Sequence, residues 1–214
     1  MNDFLTKAEL YARVDEKALE LGFDIYSQFY NMDAIWLAGQ VCKNLTIELI
    51  EFNEAKICGI LYKGKNSTTI GLNARRSAVG RNFDCMHEII HYWFHDGEYF
   101  YCDLRSNSPI EWQANAGAAQ FLMPYQSFIP AYSRMFDFFY GKNPPHVAQK
   151  KLIGYLANHY RVGEMAVGCR LEDLKPEIEQ YLSGVAVGDL RVMTGARFRS
   201  MGDSECRLGL PLSN

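Results

Sequence analysis

Three things are scarce in this chain of 214 residues: charge of one sign, long apolar runs and closely spaced cysteines. Lys and Arg total 22 against 25 Asp and Glu, a net charge of −3. That balance gives the molecule as a whole no attraction for nucleic acid or an anionic membrane. No window approaches the roughly 18 uninterrupted apolar residues of a membrane span. The start, Met1-Asn2-Asp3-Phe4-Leu5-Thr6-Lys7, lacks an apolar segment behind a basic one and does not read as a signal peptide. The cysteines (Cys42, Cys58, Cys85, Cys102, Cys169, Cys206) form no CxxC pair, so reduced thiols are expected rather than a disulfide framework. Repeats and low-complexity segments are absent as well. The expectation is a cytoplasmic globular protein that binds no membrane and no nucleic acid directly.

What the chain does have is apolar mass: 48% hydrophobic residues, with 13 Phe, 13 Tyr and 3 Trp. This is enough to bury a sizeable core and excludes a disordered regulator or a rod. Leu5, Leu10, Val14, Ala18 and Leu21 recur at helical spacing up to Gly22, and a second amphipathic stretch runs from about Tyr26 to Val41. Thr46 to Phe52, Lys56 to Tyr62 and Thr68 to Leu72 are short and β-branched, and turn residues separate them. They predict three strands joined by hairpins, hence a small antiparallel sheet. Helical spacing then returns over Ser77–His95, Ser108–Leu122, Pro124–Tyr140, Val147–His159 and Gly163–Leu182. Residues 183–214 lose any period and contain five glycines, which predicts an irregular tail behind a domain of residues 1–182.

The segment that carries chemistry is Cys85-Met86-His87-Glu88-Ile89-Ile90-His91-Tyr92-Trp93, which contains HExxH. Residues i and i+4 project from one helix face, so His87 and His91 can turn ring nitrogens to one Zn²⁺ at about 2.0–2.1 Å. Glu88 falls at the adjoining edge, placed to take a proton from water at that metal. With five histidines in the chain, a chance HExxH is an event on the order of one in a hundred. The bland reading is a polar helix face holding two histidines. Cys85, beside the motif, is read as a helix-packing residue rather than a ligand.

A hydrolytic zinc needs a third protein ligand and one open position. His95 lies about 12 Å along the helix from His87 at 1.5 Å per residue. It is too far to share the ion and suits a contact behind a ligand or a helix C-terminal cation. Glu111, in Ser108-Pro109-Ile110-Glu111-Trp112-Gln113-Ala114-Asn115, can complete His₂Glu from a second helix. The same residues also spell a capping box, in which Glu111 folds back on its own helix. The residues alone leave both readings open. Asn115, one turn on, either holds the Glu111 carboxylate or is an ordinary helix amide. The small residues Ala116-Gly117-Ala118-Ala119 allow a close helix crossing. Tyr99, Phe100 and Tyr101, in the segment from Asp96 to Asn107, either overhang a cleft or close the core.

Arg81-Asn82-Phe83 before HExxH, Glu111-Trp112-Gln113-Ala114-Asn115 running on to Phe121-Leu122-Met123-Pro124, and Ile70-Gly71-Leu72-Asn73 together resemble the ImmA/IrrE family of metallo-endopeptidases. The likeness runs from about residue 5 to 182. Gln113 departs from it, standing where an acid is frequent, and so do the aromatics after His91. The resemblance implies an α+β, zincin-like metallopeptidase core with a small three-stranded antiparallel sheet and a mostly helical remainder. It implies Glu111 as third metal ligand beside His87 and His91, with Glu88 as base. The implied metal is Zn²⁺, with Mn²⁺ or Fe²⁺ compatible with the same donors. The implied role is regulatory proteolysis of a helix-turn-helix repressor, often encoded nearby in mobile elements or stress loci. A second oxyanion donor is expected, with Tyr92, Tyr101, His146 and His159 as candidates. The rival reading is a metal-stabilised, antitoxin-like module that binds a repressor or toxin without cutting it. Leu152–Leu174 has a helix-turn-helix look, but Pro144–Gln180 carries five basic and five acidic residues. A neutral segment lacks the footprint of duplex binding and reads as a packing element.

Overall fold

The computed structural model describes residues 5–54, 57–103 and 108–193. In chain order these form α1 (Lys7–Glu20), α2 (Ala34–Val41), β1 (Leu45–Ile50), β2 (Ile57–Lys63), β3 (Thr68–Asn73), α3 (Ala78–Phe94), β4 (Tyr99–Asp103), α4 (Pro109–Leu122), α5 (Tyr125–Tyr140), α6 (Pro145–His159), α7 (Glu164–Asp173) and α8 (Lys175–Leu182). Helix starts follow capping chemistry. Thr6 and Glu9 make a reciprocal capping box on α1, and Ser77 accepts the Gly80 N–H at the start of α3. The second helix begins at Ala34 rather than near Tyr26. Between them Asp24 and Ser27 side chains take the backbone N–H groups of Tyr26 and Phe29, which favours turns over helix.

The sheet corrects the expectation of three antiparallel strands. It has four strands in the order β1-β3-β2-β4; β1 runs parallel to β3, while β2 is antiparallel to both β3 and β4. Only β2 and β3 form a hairpin, closed by Gly64 N–H on Ser67 O at 2.8 Å. Burial explains the order. Thr68, Ile70, Gly71, Leu72 and Asn73 are all buried, as a central strand requires, whereas β1 has no buried residue and lies at an edge. The fourth strand comes from the Tyr99–Phe100–Tyr101 segment; β-forming aromatics pair there with β2 as the other edge. Among the described residues, no helix is long and apolar enough to cross a membrane.

α3 lies between the sheet on one side and α2 and α4 on the other. Every residue from Asn82 to His91 is buried, so its polar face is internal rather than solvated. Gly117 sets the approach of α4: a Cβ there would lie 3.0 Å from Ile90 Cγ2. Asn82 fixes α3 to the preceding chain, accepting from Ala34 N–H and donating to Met32 O. Cys85 donates to Ala34 O at 3.4 Å, the packing role expected of it.

The helical half is pinned by a buried polar network. Arg170, on α7, donates to the Met123 carbonyl, Tyr11 and Gln120 and pairs with Asp173 at 3.0 Å. Lys7 joins Glu177 at 3.2 Å beside it. Arg170 of the helix-turn-helix-like segment is thus a core residue, which fits the packing reading. Removing the guanidinium leaves the buried Gln120 and Met123 oxygens without their donor. Arg170→Met is expected to lower unfolding free energy by about 3–5 kcal/mol in a urea titration. A loss below about 1 kcal/mol, the scale of an exposed pair, contradicts this. Beyond α8, Leu190 is buried and Arg191 exchanges hydrogen bonds with Gln180, so residues up to 193 fold back on the body. The rest of the expected tail lies outside the described residues.

Candidate metal centre

α3 presents His87, His91 and His95 on successive turns, and α4 brings Glu111 across from them. Ser108 caps α4 by accepting the Glu111 N–H at 3.2 Å. The Glu111 side chain does not complete the capping box. It turns inward, Oε2 lying 3.3 Å from His87 Nε2 and Oε1 3.2 Å from His91 Nε2. The two Nε2 atoms are 3.0 Å apart. A tetrahedral ion with bonds of about 2.0–2.1 Å needs donors about 3.3 Å apart. The three side chains therefore already stand at the separation an ion demands, and they fit one.

The outer nitrogens of the histidines are held as well. His87 Nδ1 donates to Asn115 Oδ1 at 3.0 Å, so Asn115 holds a histidine, which neither of the two open readings of it named. His95 Nε2 donates to Gln113 Oε1 at 3.2 Å, which leaves its Nδ1 as an acceptor, 2.8 Å from His91 Nδ1. His91 must then carry its proton on Nδ1. Both amide oxygens thus force the tautomer that frees Nε2 for a metal. Burial lowers the His95 pKa, so this residue is a neutral relay and not a helix-terminal cation. His95→Leu is expected to weaken zinc binding about 10–100-fold in a competition titration against a chelating indicator. Unchanged affinity would remove the relay from the account.

Glu88 projects toward β2 and is fully enclosed, with neither carboxylate oxygen hydrogen-bonded. Burial, then the neighbouring Glu111 and Asp84, raise its pKa well above the usual carboxylate range. Gly59 on β2 makes room for it, since a Cβ there would stand 2.8 Å from Glu88 Oε1. The sequence signal for Gly59 was a lone glycine inside a strand, a mark of close approach. Asp84, one turn before Glu88, is raised to about 6 by burial, an effect its contact with Arg76 at 2.5 Å only partly offsets. Burial also pulls His91 down to about 3, keeping the ring neutral as a ligand must be.

β4 supplies the remaining wall. Phe100 stacks on His91 with ring centroids 4.5 Å apart. Cys102 Sγ lies with donor atoms of His87 and Glu111 in a group whose members are all within 4.8 Å of one another. Of the expected oxyanion donors, Tyr92 turns to the Lys43 backbone, His159 packs on Tyr155 and Tyr160, and His146 is exposed at the start of α6. Tyr101 falls on β4, with its side chain outside the described atoms.

Comparison with known proteins gives a single kind of match. A family model for peptidases, described as the IrrE N-terminal-like domain (Peptidase_M78), matches residues 42–172. No curated protein and no solved structure matches.

Proposed function

The chain belongs to the IrrE N-terminal-like family of peptidases, and from that premise we propose that it is a zinc-dependent endopeptidase that cleaves a helix-turn-helix repressor. The observation that carries the reading is the inward turn of Glu111 onto both histidine Nε2 atoms beside an unpartnered, enclosed Glu88. His87, His91 and Glu111 hold the ion. Two imidazoles and a carboxylate suit Zn²⁺, and Mn²⁺ or Fe²⁺ by the same donor chemistry. Bound zinc lowers the pKa of its water toward neutrality and polarises the scissile carbonyl. Glu88 takes the proton of the attacking water and returns it to the leaving amine. Asn115 and the Gln113–His95 relay keep both ligand rings oriented.

β4 lies at an edge of the sheet beside the site, and a substrate segment added there as a strand would run past the cluster. His87, Glu88 and His91 are each at most 1% exposed, and Glu111 is 7% exposed. So enclosed a centre suits one presented segment of one partner better than general digestion. A metal-stabilised module that binds without cutting has no use for an enclosed acid lacking hydrogen bonds, which costs stability and returns none. The test is incubation of the purified chain with candidate helix-turn-helix repressors, reading products by mass spectrometry. Defined fragments that disappear with a chelator and return with zinc support the proposal. An intact repressor held in a stable complex favours the antitoxin-like reading.

A further inference from the structure

We propose that Cys102 is a reversible fourth ligand of this metal centre, a thiol that closes the site at rest. The inference rests on the metallopeptidase reading above and adds a regulatory state to it. Alternation along β4 puts Phe100 and Cys102 on one face of the strand, and Phe100 stacks directly on His91. Cys102 therefore faces the same side of α3, and it is buried there. Its sulfur forms a group with His87 and Glu111, all within 4.8 Å, and His91 is not part of that group. The thiol thus stands on the His87–Glu111 side of the three donors.

That side is also where Glu88 sits. The cross-strand partner of Cys102 is Gly59, the residue that abuts Glu88 Oε1. The thiol therefore shares the face of β2 and β4 that meets Glu88, next to where water has to enter. For a tetrahedral ion with a metal–sulfur bond of about 2.3 Å, the sulfur must approach the other donors to about 3.6 Å. From at most 4.8 Å to His87 and Glu111 that takes a movement on the order of 1 Å, and a longer one toward His91, by a cysteine χ1 adjustment and a small strand shift. As Cys102 binds, the metal–sulfur bond forms, the metal–water bond breaks and the thiol proton leaves to solvent. No oxidant or reductant is required, and the reverse exchange restores the water. Four protein ligands make a closed site and three make an open one. The enzyme is therefore latent until a strand added along β4 draws Cys102 away.

Cobalt loading of the full-length chain reads this directly. Co²⁺ in the site gives visible d–d bands, and a thiolate ligand adds a sulfur-to-metal charge-transfer band in the near ultraviolet. Wild type is expected to show both. Cys102→Ser and Cys102→Ala are expected to lose the near-ultraviolet band entirely while keeping the d–d bands. Cys58→Ser is expected to retain the band; Cys58 hydrogen-bonds Cys102 and is the neighbouring thiol to exclude. Bound cobalt without the charge-transfer band in wild type overturns the Cys102 assignment and leaves the peptidase reading standing. Loss of the band in Cys58→Ser with retention in Cys102→Ser also overturns it. Failure of wild type to bind cobalt at all overturns both.

Discussion

Glu88→Gln is expected to keep its metal and to lose peptidase activity by about 10²–10⁴-fold, the contribution of one positioned acid–base group. The glutamine fills the same space beside Gly59, so the fold has no reason to change. What it lacks is a lone pair basic enough to take the water proton. Glu88 makes no hydrogen bond within the protein, so the substitution breaks no network. Its pKa, raised by burial and by the facing Glu111 and Asp84, describes the site without a cation. A divalent ion among His87, His91 and Glu111 supplies the positive charge that favours the ionised base. Single-turnover cleavage of the proposed repressor substrate, run beside metal analysis of the same sample, checks both halves. A Glu88→Gln protein that cuts at the wild-type rate would show that the proton goes elsewhere.

Much of the site was legible because its signal is local. HExxH depends only on helix periodicity, and α3 forms where the spacing predicts it, with caps at Ser77 and His95. Glu111 was harder. Ser108, Pro109 and Glu111 spell a helix start whether or not the carboxylate folds back, and only the resemblance favoured a ligand. The structure shows why both readings had merit: the serine half of the capping box forms while the glutamate half is diverted to the histidines. Asn115 offers two readings in the sequence, a partner of Glu111 or an ordinary helix amide, and its partner is instead His87. Which of two nearby groups an amide meets depends on how α4 crosses α3, and that is set by contacts such as Gly117 on Ile90.

What lay beyond the sequence was chiefly long-range pairing. Period-2 alternation identifies a strand without naming its neighbour, and the Asn53–Glu54 turn looked like a hairpin. Instead β1 passes over to pair in parallel with β3. β4 takes only five residues of the aromatic segment between two helices, too few to show a strand period, and Cys102 lies within it. A thiol between helices gives no signal of its own; on the edge strand the same thiol comes within 4.8 Å of donor atoms of His87 and Glu111.

The central claim is that His87, His91 and Glu111 form one metal centre, and Glu111→Ala tests it with the largest expected effect. The carboxylate bridges both Nε2 atoms, at 3.2 and 3.3 Å. Its removal leaves two neutral imidazoles and no anionic ligand among the three. Zinc affinity should fall by more than the 10–100-fold that loss of an outer partner costs. The measurement is metal content by elemental analysis of wild type and Glu111→Ala, purified side by side and dialysed against the same buffer. The account predicts close to one metal per chain in wild type and a small fraction of that in the variant. Equal metal in both would contradict it, returning Glu111 to the role of a helix cap and placing the third ligand elsewhere.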